Sequence, residues 1–229
     1  MREAMPRAMV FDFDGTIVDS MNAFADIAAQ VMPKRHEIDS PTARRRYLET
    51  SGIPFFQQLE VLFPGDPANA KTAEEFERLK LEGYFDEPLF PDARETVSAL
   101  RGMGINVAVS SNNFQHLVDT FVRSKEIPFD IVLGFSEGFA KGADHFRHIE
   151  EELGIARRAI TFVGDSIKDG ERAKGYGVEF IAKEGIFSRE EFQREFPGVK
   201  VISKLSELTE LFSDHGSRIT DHGDVKCML

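Results

Sequence analysis

The sequence predicts an α/β fold, a Rossmann-like parallel sheet core with helices on both faces and a small inserted α-helical cap domain. Three observations lead there. Apolar runs of strand length recur with helix-like stretches between them, the first connection is far too long for one crossover, and that connection carries helix-start signals of its own. A length of 229 residues suits one substantial core with a satellite better than two independent domains. A hydrophobic content of 41% beside 29% charged residues is that of a folded globular protein.

Taken in order, the first strand is expected over Ala8 to Phe13, and the inserted segment follows it. In that segment Ser40-Pro41 reads as an N-cap followed by proline at the first helical position, and Thr72 to Glu75 has capping-box spacing. Phe55, Leu59, Leu62 and Phe63 share one helical face, which marks a packing stripe. Asp92 to Glu95 opens a further helix, carried on by Val97, Leu100 and Met103 and ended at Gly104. Strands are then expected at Ile105 to Val109, Phe129 to Phe135, Ala159 to Val163 and Val178 to Ala182. The expected division is 1–19 with 88–212 as core, 20–87 as cap and 213–229 as a flexible tail. Cap hinges fall near Asp19 to Met21 and Glu87 to Phe90.

A formal net charge of -11, with no basic run longer than Arg44-Arg45-Arg46, excludes an extended nucleic-acid surface. The only cysteine, Cys227, gives no disulfide framework and fits a reducing cytoplasm. Residues Met1 to Ala8 do not form a signal peptide, and no run approaches the roughly eighteen apolar residues of a membrane span. The expectation is a cytoplasmic protein without a membrane or nucleic-acid partner, monomer or homodimer. Near the C-terminus the Asp-His pairs of the tail supply no closed metal-ligand set.

The chemistry concentrates where strands end, which is where open α/β sheets bind ligands. Asp12 and Asp14 stand two apart at the end of the first strand, ahead of Gly15 and Thr16. On a continuing strand they would share a face and repel, so a positive charge is needed nearby, and a divalent cation supplies it. An acidic turn is the plain alternative, and a calcium loop fails because the glycine and the closing glutamate are misplaced. Three further groups each follow an expected strand: Ser111-Asn112, Lys141, and Gly164-Asp165 with Asp169. Each could be a cap, a solvated charge or a turn residue alone; together they compose a site for phosphate and Mg²⁺.

These residues, in this order, resemble the four motifs of haloacid dehalogenase-type phosphatases, with Asp12-Phe-Asp14-Gly-Thr16 as the first, Ser111 the second, Lys141 the third and Gly164-Asp165 with Asp169 the fourth. The resemblance implies Mg²⁺-dependent hydrolysis of a small phosphorylated metabolite. Asp12 would attack phosphorus, and Asp14 would act as general acid and base, oriented by Thr16. Mg²⁺ would be held by Asp12, the Asp14 carbonyl and Asp165, with Asp169 supporting that shell. Ser111, Lys141 and amides near Asp14 and Asn112 would hold the transferring phosphoryl group. Thr50, Ser51 and Gly52 resemble the cap loop that selects substrate, and Thr50 or Ser51 replacements are expected to change preference more than stability.

Other activities fit less well. A dehalogenase needs neither Asp14 nor Asp165, and no cap lysine among Lys34, Lys71 and Lys80 stands in a motif suited to phosphonate cleavage. A sugar phosphomutase would require the cap to grip a second phosphate, for which Arg44, Arg45, Arg46 and Lys34 are available by type. A catalytically silent phosphate-binding module would retain binding without phosphate release.

Overall fold

The computed structural model describes residues 5–213. Among these residues six strands form one sheet in the order β3-β2-β1-β4-β5-β6, every neighbouring pair parallel. They are β1 (Ala8–Asp12), β2 (Asn106–Phe114), β3 (Ile131–Phe135), β4 (Ile160–Gly164), β5 (Glu179–Lys183) and β6 (Lys200–Ile202). Central β1 is buried throughout, as a strand covered on both faces must be. Its pleat divides the core: Met9 and Phe11 enter one apolar cluster, Ala8 and Val10 the other.

Helices α5 (Ala93–Gly102), α6 (Gln115–Ser124) and α10 (Glu207–Ser213) send Val97, Leu100, Phe121 and Leu208 into the Met9 cluster. Helices α7 (Ala143–Leu153) and α8 (Ile167–Tyr176) send Phe146, Ile149 and Ala173 into the Val10 cluster, while α9 (Arg189–Glu195) covers β5 and β6 through Phe192. Phe13 meets Phe121 edge-on at 5.2 Å, so the turn after β1 is anchored into the larger cluster. Each such fully buried ring contributes about 2–3 kcal/mol by leaving water.

Between β1 and β2 lie α1 (Met21–Val31), α2 (Ser40–Glu49), α3 (Phe55–Leu62) and α4 (Ala68–Gly83). They are tied together by aromatic side chains, Phe55 stacking on Phe76 at 4.0 Å with Tyr47 5.6 Å from Phe76. The two connections to this helical segment run side by side: Asp19 N–H donates to Pro88 O at 2.8 Å and Phe90 N–H to Ile17 O at 3.0 Å.

Several local expectations require correction. Asp39, not Ser40, caps α2, its carboxylate accepting from Thr42 N–H at 2.7 Å with proline one position further in. Thr72 is inside α4, where its Oγ1 donates to Ala68 O at 3.0 Å, because α4 begins earlier than the capping-box spacing suggested. The expected start at Asp92 holds, since Asp92 is the N-cap residue of α5, although its carboxylate accepts from Ser206 N–H and not from the helix. In the packing stripe Phe55 and Leu59 are buried, whereas Leu62 is half-buried and Phe63 lies past the helix, stacked on His36 at 4.1 Å.

Two sheet features escaped the sequence. β2 runs on to Phe114 through an irregular register after Ser110, and the short edge strand β6 was not anticipated. No helix among the described residues is long and apolar enough to cross a membrane. The expected tail lies outside the described residues apart from Ser213, the last residue of α10, and Cys227 lies outside them as well.

Candidate active site

Strand order places the site. β1 is flanked by β2 on one side and β4 on the other, so the connections leave in opposite directions and a crevice opens beyond their carboxyl ends. Asp12 ends β1, Asp165 follows β4, and Lys141 precedes α7 on the loop from β3. Lys141 Nζ donates to Asp12 Oδ1 at 2.5 Å and pairs with Asp169 Oδ1 at 2.7 Å. All four side chains are buried. Gly15 lets the chain turn here: its φ is +84°, and a Cβ would lie 2.1 Å from Asp165 Oδ2.

Three carboxylates, those of Asp12, Asp165 and Asp169, offer oxygens within 4.8 Å of one another. One buried lysine answers them, aided by Arg172, which donates to Asp169 at 3.3 Å. Burial raises Asp12 to about 6, opposed by Lys141 and reinforced by the Asp169 charge. Burial, then Asp12 and Asp169, push Asp165 well above the carboxylate range. For Lys141 burial acts downward, but the Asp12 and Asp169 charges outweigh it and raise the ammonium pKa. The excess negative charge and hard oxygen donors fit a divalent cation held by Asp12 and Asp165. Asp169 is otherwise engaged, its Oδ2 accepting from Ser166 Oγ at 2.7 Å and its Oδ1 facing Lys141.

Asp14 stands apart from that group. Its carboxylate accepts from Ser20 Oγ at 2.8 Å and Asn113 Nδ2 at 2.6 Å. Asn113 in turn accepts from Lys80 Nζ at 2.6 Å and donates to Tyr84 Oη at 3.0 Å. An ammonium can only donate, so Lys80 sets the amide with its oxygen outward and its NH₂ toward Asp14. The implied role of Thr16 is thereby corrected: its hydroxyl faces Asp12 at 3.5 Å and Asp165 at 3.3 Å, not Asp14, because the tight turn directs it beneath the carboxylates.

The remaining expected residues divide. Ser111 is buried and accepts from Asn113 N–H at 3.1 Å, while Asn112 lines the cavity above. Ser51 and Gly52 reach that cavity. Gly52 has φ +91°, and a Cβ there would lie 2.3 Å from Ser166 Oγ, so the inserted segment touches the core at that point. Thr50 does not line the cavity: its hydroxyl is held by Arg46 O at 2.8 Å and by Gln58 Oε1 at 2.8 Å. Thr50, expected with Ser51 and Gly52 in the substrate-selecting loop, is the C-cap residue of α2, with its hydroxyl engaged there and not in the cavity lining. Arg44 pairs with Asp26, Arg45 and Arg46 with Glu49, and Lys34 with Glu75, all away from the cavity.

Sequence reading missed Asn113, Ser20, Tyr84 and Lys80 as a group, and Lys183 altogether. Lys183 is buried at the end of β5, donates to Gly15 O at 3.1 Å and lies 3.5 Å from the Phe90 ring centroid. Its place at a strand's carboxyl end was the available signal. Asn113→Ala is expected to lower kcat about 10–100-fold with little change in KM, since a donor that orients the Asp14 carboxylate is lost. Steady-state kinetics of the folded variant check this, and a normal kcat would remove Asn113 from the positioning of Asp14.

Below the site, buried His145 meets Ser110 Oγ at 2.8 Å. Burial, then the Lys141 charge, depress its pKa from 6.5 to about 4. The unfolded chain therefore takes up a proton more readily, and stability present above pH 6.5 is lost as pH falls toward 4. The loss amounts to roughly 3 kcal/mol. Urea unfolding of wild type and His145→Gln should show their stability difference changing by that amount across the window, and a constant difference would contradict the assignment.

A family model described as haloacid dehalogenase-like hydrolase matches residues 6–177. Phosphoglycolate phosphatase of Pseudomonas syringae pv. tomato is 26% identical over 191 residues, covering 78% of this chain and 69% of that protein. Haloacetate dehalogenase H-2 of Moraxella is 25% identical over 194 residues, covering 78% of this chain and 86% of that one. Among solved structures, a haloacid dehalogenase-like family hydrolase from Streptococcus pneumoniae superposes with a TM-score of 0.74 at 19% identity, covering 91% of this chain and 98% of its own, a likeness of fold.

Proposed function

From the premise that this chain belongs to the haloacid dehalogenase-like hydrolases, we propose that it is a Mg²⁺-dependent phosphatase acting on a small phosphate monoester through a phosphoaspartate on Asp12. The observation carrying this reading is the separation of two kinds of carboxylate. Asp12 and Asp165 sit buried beside Lys141, while Asp14 sits on a distinct hydrogen-bonded network facing the same cavity. Paired acids in different surroundings can take different roles.

Asp12 attacks phosphorus as the ester oxygen departs, and Asp14 delivers a proton to that oxygen. Asp14, now ionised and held by Ser20 and Asn113, takes a proton from water, whose oxygen displaces Asp12 and releases phosphate. Lys141 fixes the Asp12 carboxylate and offsets charge on the phosphoryl oxygens. Asp12, Asp165 and the Asp14 main-chain carbonyl would hold Mg²⁺, which supplies electrostatic shielding between the two anions. Asn112 and Ser111 bring the end of β2 to the phosphate side, and the 20–87 helical segment serves as cap, with Ser51 and Gly52 closing against α8.

One relative is named a haloacetate dehalogenase, but the Asn113-held Asp14 has a task only where an oxygen must be protonated. Phosphomutase activity finds little support, because Arg44, Arg45, Arg46 and Lys34 are spent on surface ion pairs outside the cavity. A cytoplasmic setting, where phosphorylated metabolites and Mg²⁺ abound, fits the proposal. Phosphate release from a panel of sugar phosphates, nucleotides and short organic phosphates should require Mg²⁺ and cease with EDTA. A folded protein that releases phosphate from none of them would instead favour a mutase or a binding module.

A further inference from the structure

The cavity above Asp12 is about 480 Å³ and sets carboxylates and a large set of apolar side chains around one space. Its floor carries Asp12, Asp14, Lys141 and Asp165; its walls are formed by Phe24, Tyr47, Phe55 and Phe76 of the inserted helices. Its mouth is ringed by Phe56 and Leu81 from that segment and Phe114 and Phe135 from the sheet. These four are 55%, 45%, 54% and 37% exposed, and Phe114 meets Phe135 edge-on at 5.7 Å.

Only seven large apolar side chains are exposed among the described residues, and four of them stand on this one rim. Chance scatter does not concentrate them so, and each leaves unclaimed the free energy that burial would release. Their two sources also matter: Phe56 and Leu81 belong to the inserted helices and Phe114 and Phe135 to the sheet, so both parts of the chain present apolar surface to the same cavity. The nearby cations are committed. Lys80 donates to Asn113 at 2.6 Å and lies 3.8 Å from Glu77, and Arg172 donates to Asp169. A second anionic group on the substrate would find no uncommitted cation in the lining, only neutral Gln57, Gln58 and Asn112 and the carboxylate of Glu77 among the apolar side chains.

We propose that the alcohol portion of the substrate is uncharged and apolar or aromatic, so that the enzyme hydrolyses an amphiphilic phosphate monoester whose apolar group lies along this rim. This rests on the phosphatase reading and separates the chain from the phosphoglycolate phosphatases it resembles, since glycolate is a two-carbon carboxylate.

The test is kcat/KM in Mg²⁺ for methyl, propyl and hexyl phosphate, phenyl phosphate and phosphoglycolate. The expected result is a rise of about three- to fourfold per methylene, with phenyl phosphate above phosphoglycolate. Phe56→Ser with Phe114→Ser should flatten that rise, whereas Val61→Ser, an exposed apolar site outside the cavity, should keep it. A flat series, or preference for phosphoglycolate, overturns the inference while leaving the phosphatase standing. No turnover of any ester overturns both. Sedimentation of a dimer that Phe56→Ser with Phe114→Ser dissociates would assign the rim to a second copy of the chain and likewise overturn it.

Discussion

Asp12→Asn is expected to lower phosphate release by at least about a thousandfold while leaving the protein folded. An amide cannot serve as the attacking oxygen anion, yet it preserves shape and an acceptor for Lys141, now 2.5 Å from Asp12 Oδ1. Stability should move the other way from activity. Burial raises Asp12 to about 6, so near pH 7 its ionised form is held against a desolvation penalty and against Asp169. Removing that charge in metal-free protein should leave Tm unchanged or higher. Phosphate release and thermal unfolding of the same preparation read both effects. Retention of a tenth of the wild-type rate would exclude Asp12 as nucleophile, and a collapsed fold would show its charge to be structurally required.

Lys141→Met should do what Asp12→Asn does not, and lose both activity and stability. Without the ammonium, Asp12 and Asp169 lose their 2.5 Å and 2.7 Å partner inside the protein. Breaking a buried pair from one side costs about 3–5 kcal/mol, because the remaining charge stays unsolvated. The sign with pH follows from the raised carboxylates: protonation in the native state relieves them, so the deficit should be largest near pH 7 and shrink toward pH 5. Added Mg²⁺ should recover part of the lost Tm by restoring positive charge among the same oxygens. A pH-independent deficit that ignores Mg²⁺ would mean that Lys141 contributes packing rather than charge.

Both variants alter residues that are legible in the amino-acid sequence alone, and the reason is local. Each ends a strand or follows one, and parallel sheets collect strand ends at one edge, so Asp12, Lys141 and Asp165 were bound to meet if the strands were placed correctly. Helix starts were less legible. Ser40 and Asp39 are both good caps, and only the path of the chain entering α2 selects Asp39. Thr72 has the composition of a capping box but lies within a helix that begins at Ala68.

What the sequence determined by itself is the parallel α/β core, the long insertion after β1 and the identities of the acids and lysine at the strand ends. Strand-length apolar runs and strand-end chemistry are local properties that a single chain displays. What only the tertiary structure decided is who holds whom. Asp14 is served by Asn113, 99 residues away, and Asn113 by Lys80, 33 residues away; Lys183 reaches Gly15 across 168. Such pairings depend on the irregular end of β2 and on where the inserted helices settle. A side chain's partners are set by three-dimensional proximity, to which spacing along the chain is blind.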